Sequence, residues 1–273
     1  MKMKSPFRHA TMLVLGLVWI IPLYLVLINA ATPEEVYKKK EIYELPERFS
    51  LLGNMRGAWD AANLGVSVGS TLLYATVGAA AAVFIAGLAA YAIVGLRIRF
   101  GFLWFMLLYA GTIFPFQMYL SPLYSMFVSQ HLYDKRLGLL LFYTAITIPF
   151  AVFVIRNHFT SIPVELGEAA KLDGAGPVRI FWQLFVPLSV NAFATVFILQ
   201  FTWIWNDLLF GLTLSRSADI RPIMTALASL QGQYASASVP TVLAGALIVS
   251  IPTLILFFAV QRIFIRGLSV TSH

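Results

Sequence analysis

The sequence contains no cysteine and very few charged residues. Of its 273 residues only 11% are Asp, Glu, Lys or Arg, whereas soluble domains carry about 25%. The missing cysteines exclude disulfides, thiol chemistry and cysteine-ligated metal sites. Hydrophobic residues make up 59% of the chain, and the mean hydropathy is +0.82. The composition therefore indicates an integral membrane protein.

Sequence motifs of enzymes and nucleotide-binding proteins are missing as well. The chain has no G-x-x-x-x-G-K-[ST] loop, no G-x-S-x-G elbow and no H-E-x-x-H pair. Its histidines, at positions 9, 131, 158 and 273, are scattered over the termini and the ends of apolar runs. The net charge of +7 lies beside those runs, so membrane anchoring explains it better than nucleic acid binding. We expect a membrane protein that is not an enzyme and needs no metal or cofactor.

Six apolar runs are long enough to cross a bilayer as helices, which takes about 20 residues. The sequence therefore predicts an all-α fold with one transmembrane domain over residues 1–273. The basic N-terminus, MKMKSPFRH, resembles a signal peptide, but the run behind it can span and is interpreted as a retained first span. The expected spans cover about 11–31, 68–96, 102–129, 137–157, 189–213 and 240–263.

The distribution of lysine and arginine predicts the orientation. Six spans put both termini on one side, which holds ten Lys or Arg residues against nine on the other side. Five of those nine lie in the loop of residues 32–67, which also carries six acidic residues. Without that loop the count is ten against four, and the side with the excess is the cytoplasmic one. Both termini are therefore expected in the cytoplasm.

The second span carries a stripe of small residues. Ala75, Ala79, Ala82, Ala86 and Ala89 recur every three or four positions. This spacing lets helix backbones approach closely in lipid. The stripe is either a plain helix–helix contact, the simpler interpretation, or a wall of a translocation path.

The third span contains two prolines on one helix face, Pro115 and Pro122. Each frees a carbonyl four residues earlier, at Gly111 and Met118, and favours a kink. A broken helix in a membrane either lines a cavity or is merely bent, and both interpretations stay open. The polar side chains that could contact a solute are Gln117, Tyr119, Ser121 and Tyr124 around the kink, with Gln200 and Asn206 in the fifth span.

Two further polar groups lie at span ends. Asp207 follows Trp203 and Trp205, whose indole rings are typical of an aromatic belt at the membrane surface. The alternative for Asp207 is a role in the solute path or in bridging helices. His158 follows Arg156 at the end of the fourth span and is interpreted as an interfacial anchor rather than a ligand.

Residues 163–187, here called the polar block, are charged although apolar runs flank them on both sides. A charge at mid-bilayer costs about 2.5–3.5 kcal/mol on insertion scales, so the polar block must lie in water at a membrane face. Pro163 suits the first turn of a helix over Val164–Leu172, and Asp173-Gly174 ends it. A second short helix is expected from Pro177 to Phe185, closed by Pro187. By itself this pattern fits an amphipathic linker on the bilayer surface as well as a docking site.

The spacing of residues in the polar block resembles the EAA loop of ATP-binding-cassette (ABC) importer permeases. Glu168-Ala169-Ala170 is followed after three residues by Gly174, and after nine more by Leu184-x-Val186-Pro187. Similarity extends over nearly the whole chain and is closest to the maltose-type small permease subunit of the carbohydrate branch. The other matching segments are Leu45-Pro46, Phe49-Ser50, Trp205-Asn206-Asp207, Pro252, Gln261-Arg262 and Arg266-Gly267.

The resemblance implies a type I ABC importer permease fold, with six transmembrane helices and a cytoplasmic coupling helix that docks in an ATPase subunit. It implies sugar or oligosaccharide import by alternating access at a bacterial inner membrane. The implied partners are a second homologous permease, two ATPase copies and an extracytoplasmic solute-binding protein. The loop with Gln231, Gln233 and Tyr234 resembles the one that meets that protein. The residues that would couple to the ATPase are Glu168, Ala169, Ala170, Lys171, Asp173 and Gly174.

The main alternative function is a secondary transporter of a small polar solute driven by an ion gradient. Such a protein needs acidic or basic residues near the middle of the membrane. Only Asp207 comes close to that position.

Overall fold

The protein is described by a computed structural model over residues 6–231 and 237–269. All regular structure in these residues is helical, as expected from the sequence. Gln233 and Tyr234, predicted to lie in the loop that meets a solute-binding protein, fall outside the described residues. The helices are α1 (Pro6–Ala30), α2 (Glu34–Tyr37), α3 (Leu51–Ala61), α4 (Leu64–Val94), α5 (Gly101–Ala110), α6 (Leu120–Ser129), α7 (Arg136–Phe159), α8 (Val164–Leu172), α9 (Pro177–Ile180), α10 (Val186–Leu188), α11 (Val190–Trp205), α12 (Leu209–Leu214), α13 (Ile223–Ser229) and α14 (Val239–Ser269).

The chain divides into two compact units, and the single transmembrane domain over residues 1–273 stays a prediction. The first lies within residues 1–65 and 226–252, and the second within 66–225 and 253–273. In the first unit, the amide of Asn54 donates to the backbone oxygens of Ala30 and Thr32, at 2.8 and 2.9 Å. These bonds join α3 to the end of α1. By contrast, only 6% of the most apolar 18-residue window within His9–Ala30 of α1 is buried.

The core of the second unit forms where α4 packs against α7 and α11. Ala75, Ala79, Ala82 and Ala86 are fully buried. A Cβ atom added to Gly78 would lie 3.5 Å from Ile204 and 3.6 Å from Tyr143. The small residues thus permit a close helix–helix contact, which favours the simpler interpretation of the alanine stripe.

Four helices in the described residues are long and apolar enough to cross a membrane: α1, α4, α7 and α14. A fifth follows if Pro177–Leu188 and Val190–Trp205, bent by 75° at Ser189, count as one span. The expected third span is instead divided into α5, a 3₁₀ turn over Phe116–Tyr119, and α6. The total of six spans therefore stays a prediction.

The helices at Pro115 and Pro187 differ from what the sequence predicts. The kink expected at Pro115 is a complete break, because α5 already ends before Gly111. The second short helix, expected from Pro177 to Phe185 and closed by Pro187, instead runs on through Pro187 to Leu188, so the expected end is wrong. Between them, Phe181–Phe185 forms a π-helical turn in which the Val186 N–H reaches back to the Phe181 oxygen. The wider turn leaves room for the ring of Pro187, which would clash with an ordinary α-helix.

Candidate functional site

The polar block forms two short helical arms joined by a tight turn. Its first arm, α8, begins after Pro163 and ends before Asp173, at the residues that the sequence indicates. Gly174 follows with a φ of +76°, and its N–H donates to the Lys171 oxygen at 3.0 Å. A side chain at this φ is strained, so glycine fits the turn where other residues do not.

The first arm is exposed over most of its surface, and Ala170 packs against the core. None of the α8 residues is buried, and Glu168, Ala169, Lys171, Asp173 and Gly174 are exposed, with Ala170 half-buried. Apolar side chains are uncovered too: Leu172 is 90% exposed, and Val178 in the second arm is 71% exposed. Within the described residues, no ion pair involves a side chain of α8. The arm thus offers two charge signs and an apolar side chain to solvent.

The second arm rests on the ends of α4 and α7. The Tyr91 hydroxyl of α4 donates to the Pro177 oxygen at 2.8 Å. The Tyr91 ring centre lies 5.2 Å from that of Phe181 and 4.9 Å from that of Phe185. Phe159, at the end of α7, lies 5.0 Å from Phe185. The sequence analysis did not identify Tyr91 as a contact of the polar block. The available signal was its position as an aromatic residue near the end of an apolar run.

A cavity of about 790 Å³ lies between the broken third span, α7 and α11. Of the six expected path residues, Tyr119 and Gln200 line it, while Gln117, Ser121 and Tyr124 do not. Asn206 lines a neighbouring cavity of about 600 Å³ that shares Phe116, Leu199 and Trp203 with the first. In the part of the chain that the structure describes, no charged residue lines the larger cavity. Its other lining residues are Gly111, Thr112, Pro122, Leu123, Met126, Phe142, Ala145, Ile146, Thr147, Pro149 and Phe150.

Polar groups at the larger cavity are bonded within the chain. The Tyr119 hydroxyl donates to the Gly111 oxygen at 2.9 Å, so it satisfies the carbonyl that the break at Pro115 leaves free. The Gln200 amide donates to the Thr147 oxygen at 3.3 Å, and Gln200 is 5% exposed. Gly111 and Tyr119, which flank the break in the third span, thus also line the larger cavity.

Asp207 bridges two helices. Its carboxylate accepts the Tyr143 hydroxyl of α7 at 2.8 Å and the Gly211 N–H of α12 at 3.0 Å. The prediction that Trp205 belongs to an aromatic belt is wrong, because its ring is fully buried and stacks on Phe201 with the centres 5.8 Å apart. The geometry favours the helix-bridging alternative for Asp207.

Two side chains at the end of α7 contact neighbouring residues of the chain, and the role of His158 as an interfacial anchor stays a prediction. The Arg156 guanidinium lies 4.9 Å above the centre of the Phe105 ring. The His158 Nε2 atom lies 3.4 Å from the Leu188 oxygen, beside the 75° bend. The described residues contain no group of three or more His, Cys, Asp or Glu that could hold a metal ion.

The opposite end of α7 carries a second polar cluster that sequence reasoning missed. One oxygen of Asp134 accepts the N–H groups of Arg216 and Ser217, at 2.6 and 2.8 Å, and the other accepts the Ser217 hydroxyl at 2.5 Å. Arg136 donates to the Asp219 oxygen at 2.7 Å. Partial burial alone would raise the pKa of Asp134, but these hydrogen bonds and the charge of Arg216 hold that pKa below its ordinary value.

Comparisons with known proteins agree with this architecture. The profile of the family described as "Binding-protein-dependent transport system inner membrane component" matches residues 83–270. A probable ABC transporter permease protein of Pyrococcus horikoshii is 43% identical over 157 residues, which are 58% of this chain and 57% of that protein. The melibiose/raffinose/stachyose import permease protein of Bacillus subtilis is 31% identical over 250 residues, 91% of this chain and 89% of that protein.

Among solved structures, a match that covers nearly the whole chain is the following. It is a bacterial ABC transporter involved in the import of the acidic polysaccharide alginate, with a TM-score of 0.77 and 22% identity. The match covers 96% of this chain and 99% of that chain. At this identity the likeness concerns the fold alone, and it confirms the all-helical architecture.

Proposed function

Since the chain belongs to the family of binding-protein-dependent transport system inner membrane components, we propose that it is the transmembrane permease subunit of an ATP-driven ABC importer. It forms half of a path that carries a sugar or oligosaccharide by alternating access. The complete importer contains a second homologous permease, two copies of an ATPase subunit and an extracytoplasmic solute-binding protein. Residues 1–273 act as one permease domain with both termini in the cytoplasm.

The observation that carries this proposal is the uncovered first arm of the polar block. Glu168 and Lys171 are exposed there beside a Leu172 that is 90% exposed. A helix with this surface, held at a membrane face by spans on both sides, suits a cleft in a water-soluble partner. A basic residue of the ATPase receives Glu168, and Ala169 and Ala170 permit close approach. Lys171 and Asp173 lie beside the contact, and Gly174 shapes the turn behind it.

Energy from ATP must reach this chain from that partner, since the sequence has no phosphate-binding loop. Closure of the two ATPases displaces α8, and the spans rock so that the path opens to one side at a time. The subunit itself is not catalytic.

The larger cavity supports an uncharged cargo. It is lined by aromatic rings, and its polar residues are Thr112, Tyr119, Thr147 and Gln200. Among the described residues it has no ionisable acid or base besides tyrosine. Rings of this kind can pack on the apolar faces of a sugar while hydroxyl and amide groups fix its orientation. Gln117, Ser121, Tyr124 and Asn206 lie outside this cavity and remain candidates elsewhere along the path. The import of melibiose, raffinose and stachyose by the Bacillus subtilis relative agrees with this cargo class.

The alternative, a transporter driven by an ion gradient, depends on Asp207. Its carboxylate is already bonded to the Tyr143 hydroxyl and to the Gly211 N–H. These bonds give Asp207 a structural role, so no observation favours the alternative.

Reconstitution into liposomes tests the function. We expect the chain to co-purify with an ATPase, and the complete complex to take up radiolabelled raffinose or a related oligosaccharide when ATP and the binding protein are supplied. Ionophores that collapse proton and sodium gradients should leave this uptake unchanged. Uptake by the chain alone, driven by an imposed ion gradient, would contradict the proposal.

A further inference from the structure

Tyr91 lies where the second span, α4, meets the polar block. Its side chain is only 6% exposed. On one side the ring contacts Phe181 and Phe185, with centres 5.2 and 4.9 Å away. On the other side it covers Gly95, where an added Cβ atom would overlap the ring. The position of the ring is thus fixed by packing from two directions.

The Tyr91 hydroxyl bonds to the residue that opens the second arm. The Pro177 oxygen accepts this hydroxyl at 2.8 Å and also accepts the N–H of Phe181. Phe181 in turn starts the π-helical turn that leads into α10. The hydrogen bond therefore reaches the second arm at its first residue, immediately behind the turn at Gly174.

The first arm needs such a connection because it buries no residue of its own. Displacement of α8 reaches the second arm through its turn, where the Ala175 N–H donates to the Ala170 oxygen at 3.0 Å, and then through Pro177. At its other end α8 is joined to α7 through Pro163. From Pro177 the covalent chain leads to the fifth span. The Tyr91 hydroxyl adds a lateral connection to the second span, which is distant in sequence.

We propose that Tyr91 is a positioning residue that makes the second span move together with the polar block when the ATPases close. This inference rests on the proposed function and adds to it the route by which force reaches α4. The packed rings set the orientation of the second arm, and the hydroxyl prevents Pro177 from sliding along α4. If Tyr91 had a purely structural role, only the packing of its ring would be needed, and loss of its hydroxyl would have no effect on transport.

The variant Tyr91→Phe separates these roles because it removes only the hydroxyl. In the reconstituted complex we expect normal assembly, an unchanged melting temperature and retained ATPase activity. Solute imported per ATP hydrolysed should fall about five-fold, the change that corresponds to one neutral hydrogen bond. An import-to-hydrolysis ratio equal to that of the unaltered chain would overturn the proposal.

Tyr109→Phe provides the matched control. The Tyr109 ring stacks on Phe153 with the centres 4.9 Å apart, away from the polar block. Loss of the Tyr109 hydroxyl should leave the import-to-hydrolysis ratio unchanged.

Glu168→Lys distinguishes failure of the Tyr91 proposal from failure of the proposed coupling to the ATPase. If Glu168→Lys abolishes coupled import and Tyr91→Phe does not reduce it, only the role of Tyr91 is wrong. If Glu168→Lys imports normally, the proposed coupling itself is wrong.

A distance measurement in the chain that keeps Tyr91 tests the same inference even if little Tyr91→Phe protein can be purified. Because the chain contains no cysteine, spin labels can be attached to two introduced cysteines, Leu96→Cys two residues after the end of α4 and Val178→Cys in the second arm. Both positions are exposed, at 45% and 71%. The distance between the labels should stay constant when ATP closes the complex, and it should broaden or shift in the Tyr91→Phe background. A change in the Tyr91 background on ATP addition would show that α4 and the polar block move separately.

Discussion

The two ends of α7 meet charged segments that are held in opposite ways. At the Arg136 end, the Asp134 carboxylate uses both oxygens on Arg216 and Ser217 of the same chain. At the Phe159 end, Glu168 and Lys171 of the polar block are exposed, and no ion pair to either is found among the described residues.

This difference distinguishes charged residues that stabilise the fold from charged residues that remain available to a partner protein. A carboxylate that accepts three hydrogen bonds within its own chain has little left to offer another protein, and removing it leaves its donors unpartnered. An exposed, unpaired carboxylate contributes little to folding, so its replacement should be visible in function alone. Both segments are polar connections between apolar runs, and composition alone does not tell them apart.

The largest effect is expected from charge reversal in the polar block. Glu168→Lys should leave the protein folded and inserted, because the side chain is exposed, but it should uncouple ATP hydrolysis from import. Truncating one partner of a buried interfacial charge pair costs about 2–5 kcal/mol, so ATP-driven uptake in proteoliposomes should fall at least about 30-fold.

Glu35→Lys is the control for Glu168→Lys. It makes the same change of charge at an exposed position that belongs to α2 of the first unit. Uptake by this variant should stay within about two-fold of the unaltered complex, as expected for a surface charge outside an interface. Normal import by Glu168→Lys would remove the contrast between the two ends of α7.

The second prediction concerns the turn that shapes the polar block. Gly174→Val places a β-branched residue at a φ of +76°, which costs about 1–3 kcal/mol. We expect a lower yield of the assembled complex on size-exclusion chromatography, because the first arm no longer holds its docking geometry.

Gly176→Val is the matched control, since Gly176 has a φ of −71° and no atom within 4 Å of an added Cβ. The control should assemble normally. Equal yields of Gly174→Val and Gly176→Val would show that the turn geometry does not matter for docking.

The local features of the polar block could be predicted from the sequence, and the reason is physical. Pro163 and Gly174 restrict or permit backbone angles by themselves, so the bounds of α8 follow from nearby residues. The π-helical turn at Phe181–Phe185 could not be predicted in this way. It accommodates Pro187 inside a helix that is also packed on Tyr91, and that packing is tertiary.

The contacts that sequence reasoning missed join residues far apart in the chain. Asp134 and Ser217 are separated by 83 positions, and Tyr143 and Asp207 by 64. No periodicity or spacing indicates such pairs. The same limit explains the error at Trp205, because its position beside Trp203 predicts a membrane-surface ring, whereas packing on Phe201 buries it completely.

The third prediction extends the comparison to a second carboxylate that is satisfied within the chain. Asp207→Ala leaves the Tyr143 hydroxyl and the Gly211 N–H without their acceptor, which costs about 1–3 kcal/mol for each buried group. The melting temperature in detergent should therefore fall, whereas Asp207→Asn, which keeps an acceptor oxygen, should melt closer to the unaltered protein.

A double-mutant cycle with Tyr143→Phe sharpens this test. Once the hydroxyl is absent, Asp207→Ala should cost less than it does in the unaltered chain. Strictly additive losses would mean that the 2.8 Å contact between Tyr143 and Asp207 does not stabilise the fold.

The smallest effect is expected from the pH dependence of the Asp134 cluster. Because the pKa of Asp134 is lowered in the folded protein, its ionised form stabilises the loop at pH values above the ordinary Asp pKa of about 3.9. That stabilisation is lost as the pH falls through the lowered pKa.

Hydrogen exchange at the Arg216 and Ser217 amides, corrected for intrinsic rates, should therefore accelerate below about pH 4. Asp134→Asn should remove this acceleration, since an amide does not titrate, whereas Asp219→Asn should retain it, because Asp219 takes part through its backbone oxygen. An unchanged pH profile in Asp134→Asn would mean that the carboxylate does not hold the loop, and that the two ends of α7 are more alike than their hydrogen bonds indicate.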